Sequence, residues 1–164
     1  MPFAPYTFPE AERGSVAARL AALFTAPAKI FEIIAPDGPI KVKLRLLTDK
    51  ENQEVSEVAD RWGVASRMIV QRREILARSV LWIESIPIEM PASIKTDIKE
   101  RTGVEPTDVE QKLWVFEQCQ PVLLVELFHC YDQMMEEQQR EIGEIKKKFA
   151  EQQEKSRRET TSSG

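Results

Sequence analysis

Histidine, cysteine and glycine are scarce in this sequence of 164 residues, which contains one histidine, two cysteines and six glycines. The cysteines, Cys119 and Cys130, are too few for a small secreted domain held together by disulfides, so reduced thiols are expected. A zinc site usually needs four ligands at typical spacings, and Cys119, Cys130 and His129 supply only three, without a CxxC pair. We therefore predict no bound metal and no cofactor.

The arrangement of these residues also argues against catalysis. His129 and Cys130 are neighbours in a predicted helix, where successive side chains point about 100° apart, so they do not form a Cys–His pair. Cys119 meets His129 only across a bend at Pro121. The sequence has no glycine-rich phosphate loop and no GxSxG motif. The pattern is typical of a protein that is not an enzyme.

A basic excess and long apolar runs are also missing. The net charge is −4 and the pI is near 5.3, which argues against a general nucleic-acid binder because phosphate binding needs excess positive charge. No stretch approaches the roughly 20 apolar residues of a membrane-spanning helix. The N-terminus lacks the basic start of a secretory signal. We expect a soluble, intracellular protein that does not contact membranes.

The residues that are present predict a mainly α fold: a compact helical domain over residues 13–135, with a minor β-hairpin and a long, projecting, coiled-coil-like C-terminal helix. Residues 1–12 hold three prolines and three aromatic residues, which predicts an extended arm. Ser15 then caps a short apolar helix that ends at Pro27. The hairpin is expected near residues 29–47, because two β-prone runs flank the turn sequence PDGP at 36–39.

Several helices are predicted after the hairpin. Thr48 and Glu51 fit a capping box, which opens a helix with Val55, Val58, Ala59 and Trp62 on one face. A second helix is expected over residues 65–84, with an apolar stripe of Ile69, Leu76, Val80 and Ile83. Proline residues predict an extended segment at 86–91, followed by a helix over 92–101 and another that Thr107 and Glu110 cap. Pro121 either kinks this last helix or starts a new one.

The C-terminal third has the strictest pattern in the chain. Eight residues follow one another at alternating steps of four and three, as in a coiled-coil heptad: Leu124, Phe128, Tyr131, Met135, Gln138, Ile142, Ile145 and Phe149. Residues 136–155 are predicted to form a charged helix, whose stripe needs another helix because it has no core of its own. Residues 156–164 have no apolar side chain and are expected to be disordered. The predicted partner-binding residues are Tyr131, Met135, Gln138, Ile142, Ile145 and Phe149.

The helix at 65–84 offers an alternative binding surface. Its arginines, Arg67, Arg72, Arg73 and Arg78, are a candidate patch for nucleic acid or an acidic protein. The simpler interpretation is a solvated face paired to acidic neighbours, because acidic residues are in excess.

Three stretches resemble small assembly proteins of tailed bacteriophages, of the tail-assembly-chaperone and baseplate-hub-assembly type. Residues 42–51 (VKLRLLTDKE) are similar to an "I-x-L-R-x-L-T-x-x-D/E" opening, and residues 73–88 to an "LA-x-x-I-x-x-I-x-G-x-P-L" helix exit. Residues 114–131 are similar to a "P-x-x-x-x-x-L-x-x-x-Y" helix that precedes a polar tail. The resemblance covers residues 40–149, with Ser85 where a glycine is common and no counterpart for the N-terminal arm.

The resemblance implies a non-enzymatic protein of virion morphogenesis, which keeps a tail or hub component soluble in the host cytoplasm. A first alternative is a permanent structural component of the virion. A second is a DNA-binding regulator that uses the arginine-rich helix at 65–84. The implied partners are phage tail or hub proteins, and homo-oligomers through the C-terminal helix are also expected.

Overall fold

The fold is seen in a computed structural model that describes residues 28–163. Five helices make up 67% of the described residues and a small antiparallel sheet accompanies them, which confirms the predicted mainly α class. The predicted arm at 1–12 and the short helix that follows it lie outside the described residues. In chain order the elements are β1 (Lys29–Ala35), β2 (Gly38–Leu44), α1 (Asp49–Ala59), α2 (Val64–Ser79), β3 (Val80–Ile83), α3 (Ala92–Thr102), α4 (Asp108–Gln118) and α5 (Pro121–Ser162).

The predicted hairpin is present as β1 and β2, which pair antiparallel across a two-residue turn from Ala35 to Gly38. Gly38 has a φ of 123°, a conformation that glycine adopts without the steric cost of a side chain. Along β2 the side chains alternate, so that Val42 and Leu44 are fully buried while Lys41 is exposed. The turn and the period-two pattern are both local, which is why the sequence alone predicts this hairpin.

The sequence did not predict the third strand, and the prediction of helix over 65–84 is wrong beyond Ser79. Residues 80–83 form β3, which pairs antiparallel with β2 so that Val42 lies opposite Ile83. The backbone N–H of Arg45 donates to the Ser79 carbonyl at 3.0 Å, and the Ser79 Oγ donates to the Arg45 carbonyl at 2.6 Å. Pairing with a strand distant in sequence therefore ends the helix, because β2 would otherwise leave its second edge without partners.

The core lies between the sheet and the helices of the first part of the chain. Six elements each contribute at least one fully buried side chain to it, including Leu44, Val55, Leu76, Val80, Phe116 and Leu127. Truncating a buried aromatic residue such as Phe116 to alanine typically costs about 3–5 kcal/mol, because the cavity closes only in part. Val55 and Ala59 of the predicted apolar face of α1 are buried. Trp62 of the same face is 56% exposed, because the helix ends at Ala59.

The capping box that opens α1 is present. Thr48 accepts a hydrogen bond from the Glu51 backbone N–H at 3.3 Å, and the Glu51 carboxylate accepts from the Thr48 N–H at 2.9 Å. The same carboxylate binds both terminal nitrogens of Arg45, at 2.8 and 2.6 Å. The junction of β2 and α1 is thus fixed by one charged network. Thr107 also caps α4, by accepting from the Glu110 N–H at 3.2 Å.

The segment after β3 is not helical, as its prolines predict, but it forms turns and an isolated bridge between Ile83 and Ile86 in place of a regular extended strand. Ser85 has a φ of 62°, in the left-handed region where most side chains are strained and glycine is not. Glycine at this position would adopt the turn without that strain.

The C-terminal helix α5 begins at Pro121, so this proline starts a new helix and does not kink the preceding one. It continues without interruption to Ser162, whereas the sequence predicted disorder over 156–164. Extending an existing helix costs little per residue, and here the Arg158–Glu154 pair at 2.7 Å adds a local contact. Among residues 28–163, no helix is long and apolar enough to cross a membrane.

The chain divides into two compact units. The first ends at Tyr131 and contains the sheet, four helices and the first turns of α5. The second begins at Asp132 and is helix up to Ser162.

Candidate protein-binding surfaces

The six predicted partner-binding residues all lie on α5, at the spacing that places them on one side of the helix. Tyr131 is only 4% exposed and belongs to the first unit, so in this conformation its side chain is a core residue. Four of the predicted residues lie in the second unit and are half-buried: Met135, Gln138, Ile142 and Ile145. Phe149 is 58% exposed. The stripe therefore changes from core at Tyr131 to accessible at Phe149.

The flanks of this stripe are charged. Seven acidic and seven basic residues lie between Glu136 and Glu159, and their charges cancel. Beyond residue 145 every described side chain is exposed. This half of α5 is thus a solvated helix with one narrow apolar line, which is the arrangement of a helix that pairs with another helix.

A second surface, not predicted from the sequence, lies in the first unit between α2, α4 and the start of α5. It consists of two adjoining cavities of about 320 and 310 Å³. The cavities share Ile69, Arg73 and Glu117, so they form one elongated depression, which we call the α2–α5 groove. The remaining lining side chains are mostly apolar and include Trp62, Val70, Leu76, Leu113, Phe116, Leu124 and Val125.

Large apolar side chains are exposed at and around this groove. Trp62 and Ile69 line it and are 56% and 53% exposed, and Met68 beside Ile69 is 61% exposed. On α5, Val125 lines the groove and Val122 lies one turn before it, and both are exposed. Contiguous apolar surface of this kind marks binding sites in soluble proteins, whereas single exposed apolar residues do not. The sequence held one signal: α2 has more apolar residues than a single buried stripe accommodates.

The four arginines of α2 divide into two pairs. Arg67 forms an ion pair with Asp60 at 2.6 Å, and Arg78 with the buried carboxylate of Glu74. Arg72 and Arg73 have no carboxylate partner among residues 28–163, and both line the α2–α5 groove. The predicted pairing to acidic neighbours thus holds for half of the set. The two ion pairs, Arg67 with Asp60 and Arg78 with Glu74, also neutralise positive charge that binding to a DNA backbone would need.

Arg72 and Arg73 are held in place by different contacts. The Arg72 guanidinium lies over the Phe128 ring, 5.0 Å from its centroid, an arrangement that stabilises the cation and leaves its edges free to donate hydrogen bonds. The Arg73 Nε is buried and has no hydrogen-bond acceptor among the described residues 28–163. A buried donor without an acceptor is costly, so an acceptor that reaches Arg73 gains more than one at an open surface.

The candidate nucleophiles are placed unfavourably for chemistry. Cys130 is 7% exposed and Cys119 is half-buried, and burial raises the pKa of both thiols. A raised pKa lowers the fraction of reactive thiolate at neutral pH. His129 is exposed on α5. Within residues 28–163, no three His, Cys, Asp or Glu side chains are grouped closely enough to hold a metal ion.

Comparison with protein-family models, curated proteins and solved structures found no significant match to this chain.

Proposed function

We propose that this protein is a non-enzymatic assembly or adaptor protein, which acts by binding another protein through its helical surfaces. The observation that carries the proposal is the second unit, where α5 runs as a charged helix with a single apolar line. Most of the stability of a protein helix comes from packing its apolar face, and this helix has little apolar surface to pack. A partner helix along Ile142, Ile145 and Phe149 supplies that packing.

The resemblance to tail-assembly proteins names the expected partner, a tail or baseplate-hub component of a phage. In that role the protein covers an apolar surface of the component in the host cytoplasm until assembly. In this role the protein acts by binding alone, without catalytic turnover, which agrees with the raised pKa of both cysteine thiols.

The proposal is tested with the double substitution Ile142→Asp and Ile145→Asp in the full chain. We expect the circular dichroism and the urea midpoint of the first unit to stay unchanged, while oligomerisation in light scattering or co-purification with co-expressed tail and hub proteins is lost. The matched control is Gln139→Asp with Ala150→Asp, which adds the same two carboxylates at exposed positions off the stripe. Unfolding of the first unit, or unchanged binding by the Ile variants, contradicts the proposal.

A chaperone and a permanent virion component are separated by quantifying the protein in purified particles. A chaperone is absent or far below the amount of the tail proteins. A stoichiometric amount instead supports the structural role.

A further inference from the structure

We propose that the α2–α5 groove binds one acidic amphipathic helix of a partner protein, with apolar side chains against Ile69 and carboxylates at Arg72 and Arg73. The groove lies in the first unit, so this second binding site can be tested independently of the stripe on the C-terminal helix.

The length of the groove fits a helix of about three turns. Its floor on α2 is a row of side chains at steps of three and four: Ser66, Ile69, Arg73 and Leu76. At 1.5 Å per residue, the distance from Ser66 to Leu76 along α2 is about 15 Å. Residues of α4 and the start of α5 line the other side. A helix laid in it presents residues i, i+3, i+4 and i+7 to its floor.

The chemistry of the lining indicates the residues of that helix. Two apolar side chains that line it, Trp62 and Ile69, are more than half exposed and require an apolar stripe opposite. Hydrophobic anchors in a groove between helices are the usual basis of helix recognition.

The charge of the lining indicates an acidic partner. Within residues 28–163, Arg72 and Arg73 have no carboxylate partner and both line the groove, and Glu117 is the one described lining carboxylate without an ion pair. Arginine binds carboxylates with two parallel hydrogen bonds, and the buried Nε of Arg73 lacks an acceptor. Carboxylates on the bound helix therefore supply what the described residues do not.

The test uses a yeast-displayed library of 14-residue helical peptides with apolar and charged positions randomised, selected on the full-length protein. We expect enrichment of peptides with apolar residues at i, i+3, i+4 and i+7 and with an excess of Asp and Glu. The best peptide is then synthesised with a fluorescent label and titrated by fluorescence anisotropy. A version with lysine at its acidic positions should bind at least tenfold more weakly.

Two substitutions locate the site. Ile69→Glu should weaken binding at least tenfold, and Arg73→Gln at least threefold at low salt. Both losses of affinity should be smaller at high salt, because salt screens the charged contact. Gln71→Glu is the matched control, because Gln71 is exposed on the same helix and does not line the groove. Ile69 is 53% exposed, so its substitution leaves the core intact, which urea unfolding verifies.

Three results overturn the proposal. The first is a selection that enriches no peptides or enriches basic ones. The second is binding by the Ile69→Glu variant that equals binding by the unchanged protein. The third is self-association in light scattering that Ile69→Glu abolishes. The last result assigns the groove to a second copy of this chain.

Discussion

Glu51 binds two neighbouring residues at the start of α1, Arg45 through its side chain and Thr48 through its backbone. Its carboxylate accepts hydrogen bonds from the Arg45 guanidinium and from the Thr48 N–H. The hydrogen bond from Arg45 is the main reason that the pKa of Glu51 falls from 4.5 to about 2. The carboxylate is therefore bound more tightly in its charged form in the folded protein than in the unfolded chain.

This shift predicts a pH-dependent effect of Glu51→Gln. The folded pKa lies below the unfolded one, so the stabilisation is complete above about pH 5 and is lost as the pH falls toward 2. We expect the variant to lower the free energy of unfolding at pH 7 by about 1.5–3 kcal/mol, the range for hydrogen bonds to charged groups. Urea unfolding at pH 7, 4 and 3 measures the difference between the two proteins, which should shrink at each step.

Glu57→Gln is the control for this experiment, because Glu57 is exposed on the same helix. It should change stability by less than about 0.5 kcal/mol, as is usual for exposed positions. If Glu51→Gln lowered the free energy of unfolding equally at pH 3 and pH 7, the charged network would not act as described.

The capping box was predictable at the residue scale, because Thr48 and Glu51 are three positions apart and the motif needs no other element. The pairing of Arg45 with Glu51 depends on how β2 leads into α1, and spacing alone does not reveal it. The exposure of Trp62 was missed for a similar reason, since it depends on α1 ending at Ala59.

At the scale of elements, the error at residues 80–83 shows where sequence periodicity fails. Val80 and Ile83 continue the helical spacing of Leu76, so a periodic pattern assigns them to α2. Their actual environment is set by β2, which lies more than 35 positions earlier in the chain. The hairpin was predictable because its turn and its alternation are local, whereas β3 is defined by a partner that no local pattern identifies.

Gly143 gives a prediction for α5. It lies inside this helix, and a Cβ added there meets no atom within 4 Å. Because glycine costs about 0.5–1 kcal/mol relative to alanine inside a helix, Gly143→Ala should stabilise the second unit by about that amount. The magnitude of the ellipticity at 222 nm and the midpoint temperature of its thermal melt should both rise.

The reverse change at a nearby position is the control. Ala150→Gly, at an exposed position of the same helix, should lower helicity by a similar amount. A loss of helicity in Gly143→Ala would mean that Gly143 is needed for a close contact with a partner.

At the scale of the whole molecule, the two units predict two levels of local stability. The first unit contains the fully buried side chains of the sheet and helices, and the second is a helix with a largely exposed surface beyond Gly143. We expect amides near Leu76 and Phe116 to exchange with solvent only on global unfolding. Amides beyond Gly143 should exchange at least a hundredfold faster, by local opening.

Hydrogen exchange followed by mass spectrometry measures this contrast along α5. Uniform protection of the helix from Leu127 to Ser162 in the isolated protein would contradict it. Slower exchange beyond Gly143 after addition of a bound partner would locate the contact on the second unit.

The candidate surfaces differ in how far the sequence predicted them. The stripe on α5 follows from a heptad pattern within one helix, so the sequence alone predicts its residues, although burial removes Tyr131 from the accessible part. The α2–α5 groove combines side chains of three helices, and no pattern within one segment marks it. Its arginines were noticed in the sequence, but only the fold shows which of them lack carboxylate partners.

The position of β2 in the middle of the sheet has a consequence for synthesis on the ribosome. Val42 and Leu44 are made early, but the strand that covers their second edge, β3, is made only after two helices. At about 5–20 residues per second, the roughly 36 residues from Leu44 to Val80 take about 2–7 seconds to translate. For that time the nascent chain carries an apolar strand whose second edge is open, and an open strand edge is a template for pairing with another chain.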